Sequence, residues 1–167
     1  MKGKTQLVPP ATVQMVKIIE DDSQLEMFLG EMNLHEFDFV CFPINDASSE
    51  SQGSHWSLLV YSKKENKYFY LDSHGRYNLK SGEQVAKNVQ VLLKCPKKPS
   101  MEIVDCPQQA NGWDCGVFVL LFTQVILNRI SEGKFNVSDL SESVSQTIAS
   151  QKRTEIRNQI LEKSKKN

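Results

Sequence analysis

Apolar and polar positions change rhythm several times along the chain, and each rhythm predicts an element. Residues 11–19, Ala-Thr-Val-Gln-Met-Val-Lys-Ile-Ile, repeat apolar side chains at helical spacing behind Pro10, a residue suited to a helix start. Ser23-x-x-Glu26 reads as a capping box ahead of Leu25, Met27, Phe28 and Leu29, which predicts a second short helix. Residues 38–44, Asp-Phe-Val-Cys-Phe-Pro-Ile, form a short apolar run between polar segments, the pattern of a buried strand. Residues 55–62 and 67–72 read as two more strands, joined at hairpin length by Lys63-Lys64-Glu65-Asn66. Ser81-x-x-Gln84 predicts the cap of a helix running through Val85, Val89, Leu92 and Leu93, and residues 101–104 predict a further strand. The long apolar stretch from Cys115 to about Ile130 predicts a buried helix, and two amphipathic helices near 137–149 and 151–164 are expected to close the chain. Residues 1–10 read as disordered, and the loop 45–54, with no apolar anchor beyond Ala47, reads as mobile. Strands clustered between helices predict an α+β fold, a small mixed or antiparallel sheet flanked by helices, in a single domain over 1–167.

Length supports that reading, because 167 residues can bury a substantial core in one domain. Twenty basic residues balance twenty acidic ones, which argues against a dedicated nucleic-acid binder. The balance is uneven: Lys152, Arg153, Arg157, Lys163, Lys165 and Lys166 crowd the last stretch against Glu155 and Glu162, and read as a solvated basic helix end. No run approaches the roughly 18 apolar residues of a membrane span, and no signal-peptide core follows Met1, so a cytoplasmic or nuclear location and no membrane partner are expected. Cys41, Cys95, Cys106 and Cys115 form no Cys-x-x-Cys pair, and His35, His55 and His74 show no zinc-like spacing with them. Free thiols, no metal and no cofactor are therefore expected.

Chemistry concentrates where the apolar rhythm breaks. Cys115 sits at the change from a polar loop to the long apolar helix, where unpaired N–H groups and the helix dipole favour a thiolate. His55 opens one predicted strand and Asp72 ends the next. If these strands pair antiparallel, both residues lie at one edge of the sheet, where a carboxylate can hold an imidazole in one tautomer. All three histidines precede Cys115, so the papain order of nucleophile before histidine cannot be built on it. Cys41, mid-strand and apolar, reads as a core residue. Gln109 can offer its amide to a developing oxyanion, an interaction typically worth ~3 kcal/mol. Trp56 and Trp113 place large flat surfaces beside the presumed site; for Trp56, the wall of a slot and ordinary core packing are equally open.

These residues carry a resemblance. His-Trp-Ser-Leu-Leu-Val-Tyr, Tyr-Leu-Asp-Ser-His-Gly and Gln-Gln-Ala-Asn-Gly-Trp-Asp-Cys-Gly resemble the Ulp/sentrin-specific family of cysteine proteases, over roughly residues 10–165. The resemblance implies a papain-like, Ulp-type fold and cleavage after the C-terminal Gly-Gly of a ubiquitin-like modifier. It implies His55 as general base, Asp72 as its orienter, Gln109 as oxyanion donor, Cys115 as nucleophile, and Trp56 as a wall of the diglycine tunnel. Phe-Pro-Ile-Asn-Asp before a polar loop is similar to the deneddylase branch, which implies the neddylation modifier and its conjugates, such as cullins, as partners of a monomeric enzyme. Asn45, Asp46 and Trp113 are then expected to meet substrate, with the loop 45–54 against the modifier's globular surface. Two alternatives stay open: a SUMO-specific protease, and a catalytically impaired modifier-binding domain. The second arises because the family's N-terminal Trp-Leu-Asn-Asp segment has no counterpart before residue 10.

Overall fold

The computed structural model describes residues 3–48 and 52–165. Its centre is a five-stranded mixed sheet in the order β1-β2-β3-β4-β5, built from Thr5–Leu7, Phe39–Asn45, Trp56–Ser62, Lys67–Leu71 and Ser100–Ile103. The middle strand β3 runs antiparallel to both β2 and β4, and β1 and β5 join the edges in parallel. Between them run α1 (Pro10–Ile18), α2 (Asp22–Leu29), α3 (Leu79–Asn88) and α4 (Gln90–Leu93). The chain ends with α5 (Cys115–Ser131) and α6 (Gln146–Ser164).

Alternation along the strands makes this a sheet with two buried faces. Val40, Phe42, Ile44, Leu59, Tyr61, Tyr68 and Tyr70 point into a core shared with α1 to α4. Cys41, Leu58, Val60, Phe69 and Leu71 point the other way, onto Val117, Phe118, Leu121, Phe122 and Ile126 of α5. That explains why α5 is apolar almost throughout: it lies flat on the sheet, and Leu140, Val144 and Ala149 pack into the same layer. The antiparallel pairing of β3 with β4 agrees with the hairpin expected from the sequence, its register setting Leu58 opposite Leu71.

Four expectations differ from the structure. Residues 5–7 are ordered as β1, because the Lys4 carbonyl accepts the Asp38 and Phe39 N–H groups at 2.8 and 3.1 Å and Val8 is buried just beyond. The cap of α2 is Asp21, whose Oδ1 accepts the Gln24 N–H at 3.0 Å; Ser23 lies inside the helix. Ser81 likewise falls inside α3, which begins at Leu79. Residues 146–164 form one helix in place of two. Ser145 caps it by accepting the Ile148 N–H at 3.3 Å, and the segment before it is loop with one short 3₁₀ turn at Leu140–Glu142. The expected mobile loop lies partly outside the described residues.

Gly82 of α3 is buried against the ring of Tyr70: an added Cβ would come within 2.9 Å of its Cε2 and 3.0 Å of its Cδ2. Gly82→Ala is therefore expected to destabilise by about 1 kcal/mol. Overpacking costs roughly 1–3 kcal/mol and outweighs the ~1 kcal/mol gained in helix propensity. A lower urea midpoint at unchanged slope is the expected reading; a raised midpoint would contradict the close packing.

Candidate active site

The β3–β4 hairpin assembles half of the site. Because Leu58 faces Leu71, His55 just ahead of β3 and Asp72 just after β4 meet at the same sheet edge. His55 Nε2 lies 2.6 Å from Asp72 Oδ1, and both side chains are buried. The carboxylate accepts the Nε2–H, which fixes the tautomer and leaves Nδ1 as the basic nitrogen. Asp72 is itself fully engaged. Oδ1 also accepts the His74 N–H at 2.9 Å, and Oδ2 accepts the Tyr70 hydroxyl at 2.6 Å and the Asn78 N–H at 3.0 Å. Burial pushes the Asp72 carboxyl up, but the bonds from His55, Tyr70 and the two backbone N–H groups outweigh it and hold the carboxyl below its usual range.

The other half comes from the loop 105–114 and the start of α5. Cys115 is the first residue of α5, and no side chain caps that helix, so its first-turn N–H groups face the site. Trp56 ties the two halves together. A Cβ at Gly116 would lie 3.8 Å from Trp56 Cδ1, and Ser54, Trp56, Cys115 and Gly116 line one cavity of about 640 Å³. The residues flanking His55 and Cys115 thus share a wall. The Trp56 ring packs on the α5 core and also lines the cavity. Trp113 lines the same cavity and is 67% exposed.

Gln109 bridges the halves. Its N–H donates to the Ser73 carbonyl at 2.8 Å and its Oε1 accepts the Ser73 hydroxyl at 2.7 Å, which aims the amide nitrogen. One N–H of that amide goes to the Asn111 carbonyl at 2.6 Å, leaving the second for another acceptor. Gln108 braces the same turn, donating to the Asp72 carbonyl at 3.0 Å and accepting the Gly75 N–H at 2.6 Å. Nothing in the local sequence distinguishes that role of Gln108 from that of any loop glutamine.

Asn45 and Asp46, expected at the substrate surface, are half-buried and bond within their own loop. Asp46 Oδ1 accepts the Ser54 and His55 N–H groups at 2.6 and 2.8 Å, and Oδ2 accepts the Ser54 hydroxyl at 2.9 Å. Asn45 Nδ2 donates to the His55 carbonyl at 3.0 Å. The two side chains close the base of their loop and clamp the backbone of His55. Asp46→Ala is expected to lower kcat by about ten- to a hundredfold with a smaller change in KM, since it misplaces the imidazole without removing it. An unchanged kcat would show the clamp to be dispensable.

Among the other cysteines, burial pushes the Cys41 thiol up to about 12 and the Cys106 thiol up to about 11, keeping both protonated at neutral pH. Cys95 Sγ lies 3.1 Å from the Tyr61 hydroxyl, on the α1–α4 side of the sheet. A larger cavity, about 800 Å³, opens beside Glu102, Asp105 and Asp139, and the thiol it reaches is the protonated Cys106. The Cys115 cavity is lined by the Cys115 thiol and by Ser54 and Trp56, the two chain neighbours of the buried His55 imidazole that Asp72 holds, an arrangement suited to nucleophilic attack on an acyl carbon.

Acidification is expected to probe this network. The carboxyls of Asp72 and Asp114 are both held below the usual range: burial raises that of Asp114, but bonds from Asn111, Arg153 and Gln146 overcome it. A lowered folded value adds stability that is complete above the ordinary carboxyl value of about 4 and is lost as pH falls through the lowered one. Acid unfolding followed by circular dichroism should therefore begin below about pH 4; a transition centred above about pH 5 would contradict this.

Residues 22–164 match the model of the Ulp1 protease family, C-terminal catalytic domain. The NEDD8-specific protease 1 of Arabidopsis thaliana is 36% identical over 130 residues, covering 76% of this chain and 58% of the relative. The human sentrin-specific protease 8 is 34% identical over 122 residues, covering 71% and 57%. The chain thus spans somewhat more than half the length of these relatives. In fold it is similar to the yeast Ulp1 protease domain solved in complex with Smt3, with a TM-score of 0.59 at 18% identity, covering 87% of this chain and 62% of that one.

Proposed function

The chain belongs to the Ulp1 protease family, and from that premise we propose that it is a cysteine protease that cleaves after the C-terminal Gly-Gly of a ubiquitin-like modifier, the neddylation modifier in particular. The observation that carries the chemistry is the buried His55–Asp72 pair, 2.6 Å apart, with the two chain neighbours of His55, Ser54 and Trp56, lining the cavity that opens onto Cys115. His55 Nδ1 takes the thiol proton, and the Cys115 sulfur attacks the terminal glycine carbonyl. Gln109 and the Cys115 N–H hold the oxyanion as the tetrahedral intermediate forms. The leaving amine takes the proton back from His55, and a thioester remains on Cys115. Water, deprotonated by the same imidazole, then releases the carboxylate. Asp72 keeps its charge throughout and steadies the imidazolium. Trp56 and Trp113 form the walls between which an extended tail without side chains would lie.

Preference for the neddylation modifier rests on the named relatives, of which the Arabidopsis protein is called NEDD8-specific. Conjugates such as cullins, monomeric action and a cytoplasmic or nuclear setting belong to the same proposal. No described helix is long and apolar enough to cross a membrane.

The test is a modifier carrying an electrophile in place of its last glycine. A one-to-one covalent adduct with the neddylation modifier, mapped to the peptide containing Cys115, is the expected result. Adduct with SUMO alone would move the assignment to that modifier, and binding without any adduct would overturn the protease reading.

A further inference from the structure

Asp114 stands at the N-cap of α5, a position from which an aspartate ordinarily caps a helix by accepting its first N–H groups. Here it caps nothing. The carboxylate, 1% exposed, turns toward α6. Arg153 Nε donates to its Oδ1 at 2.6 Å and Gln146 Nε2 to its Oδ2 at 2.7 Å, and Asn111 Nδ2 also donates to Oδ2 at 2.7 Å. A second guanidinium nitrogen of Arg153 pairs with the same Oδ1, and donates to the Trp113 carbonyl at 2.7 Å. Gln146 Oε1 accepts the Ala110 N–H at 2.7 Å. Two residues of α6 therefore hold the loop on both sides of Asn111, and Arg153 also lines the Cys115 cavity.

We propose that Arg153 is a positioning residue for the nucleophile: it draws the Asp114 carboxylate off the N-terminus of α5 and neutralises it, keeping the first-turn N–H groups open to sulfur and oxyanion. The inference rests on the reading of Cys115 as nucleophile. Without the guanidinium, a full negative charge would stand one residue from the reacting sulfur and disfavour its anion. Oδ1, left without its donor, would also compete for the N–H groups that the sulfur and oxyanion need. The charged and titratable groups of the site come from several elements. Asp114, from the loop before α5, and Arg153, from α6, stand respectively beside Cys115 in sequence and on its cavity. His55 is held by Asp72 from the sheet edge and by Asp46 from the loop ahead of β3, and the rings of His74 and Tyr77 pack on it. Arg153 is the permanent cation of this set.

The experiment is the rate of Cys115 alkylation by iodoacetamide as a function of pH, followed by peptide mass in the full chain. This reagent requires no modifier. Arg153→Ala is expected to move the acid limb up by about one unit and to slow alkylation about tenfold at about pH 6. Arg153→Lys keeps the charge but loses the planar fork, and should leave the limb in place with a rate within about threefold of the parent. Adding Asp114→Asn to Arg153→Ala should return the limb toward its original position, which a purely structural role for Arg153 would not do. An unmoved limb in Arg153→Ala, or no return in the double variant, overturns the proposal while leaving the protease reading intact. A parent Cys115 that reacts no faster than Cys95 overturns both.

Discussion

Replacing Cys115 by alanine is expected to lower hydrolysis of a modifier fusion by about 10⁵-fold or more, the scale on which loss of a covalent nucleophile acts. No neighbouring thiol can substitute. Cys41 and Cys106 are kept protonated by burial, and Cys95 lies across the sheet beside Tyr61. The change removes one sulfur from a small, nearly buried side chain, so the unfolding free energy should move by no more than about 1 kcal/mol. Modifier affinity should be retained, because the walls of the cavity, Trp56 and Trp113, are untouched. Turnover measured with a fluorogenic fusion, beside a binding isotherm, separates these effects. Residual activity above about one per cent would mean that another group attacks the acyl carbon.

Asp72→Asn comes second, with an expected fall in kcat of about 10³- to 10⁴-fold and a loss of about 2–3 kcal/mol of stability. The reason lies in donor counting. His55 and His74 donate to one oxygen of Asp72, and Tyr70 and Asn78 to the other. An amide has one acceptor oxygen, so its NH₂ must face either the His74 or the Asn78 N–H, and neither backbone group can reverse. If the NH₂ faces His55, the ring must also give up its Nε2 proton, and the basic nitrogen then points away from the thiol. A variant with normal kcat would show that the carboxylate does not fix the imidazole. Normal stability would show that its four donors are not strained by the change.

Much of this site is legible in the sequence for a physical reason: its first elements are local. A hairpin with a short turn specifies that the head of one strand meets the tail of the next, so counting alone pairs His55 with Asp72. The change from polar loop to unbroken apolar helix marks Cys115 in the same way. What escapes is set by contacts distant in sequence. Arg153 sits 39 positions from Asp114 in a stretch that reads as a solvated basic end, and no periodicity marks it as bound. Asp46 looks like an exposed loop residue because its partners are mostly backbone N–H groups, which a side-chain pattern cannot display. The single long helix α6 is hard to read because it buries little beyond Ala149 and so lacks the apolar stripe by which such helices are recognised.

The order in which these parts occur along the chain has a consequence for synthesis. The hairpin carrying His55 and Asp72 leaves the ribosome well before Cys115, and Arg153 emerges later still. With α5 and α6 still inside the exit tunnel, a nascent chain holds its base and acid but neither the seat for its sulfur nor the clasp upon it. Reactivity would then arrive only once α6 has emerged and folded, and translation products that stop short of it would be born inert.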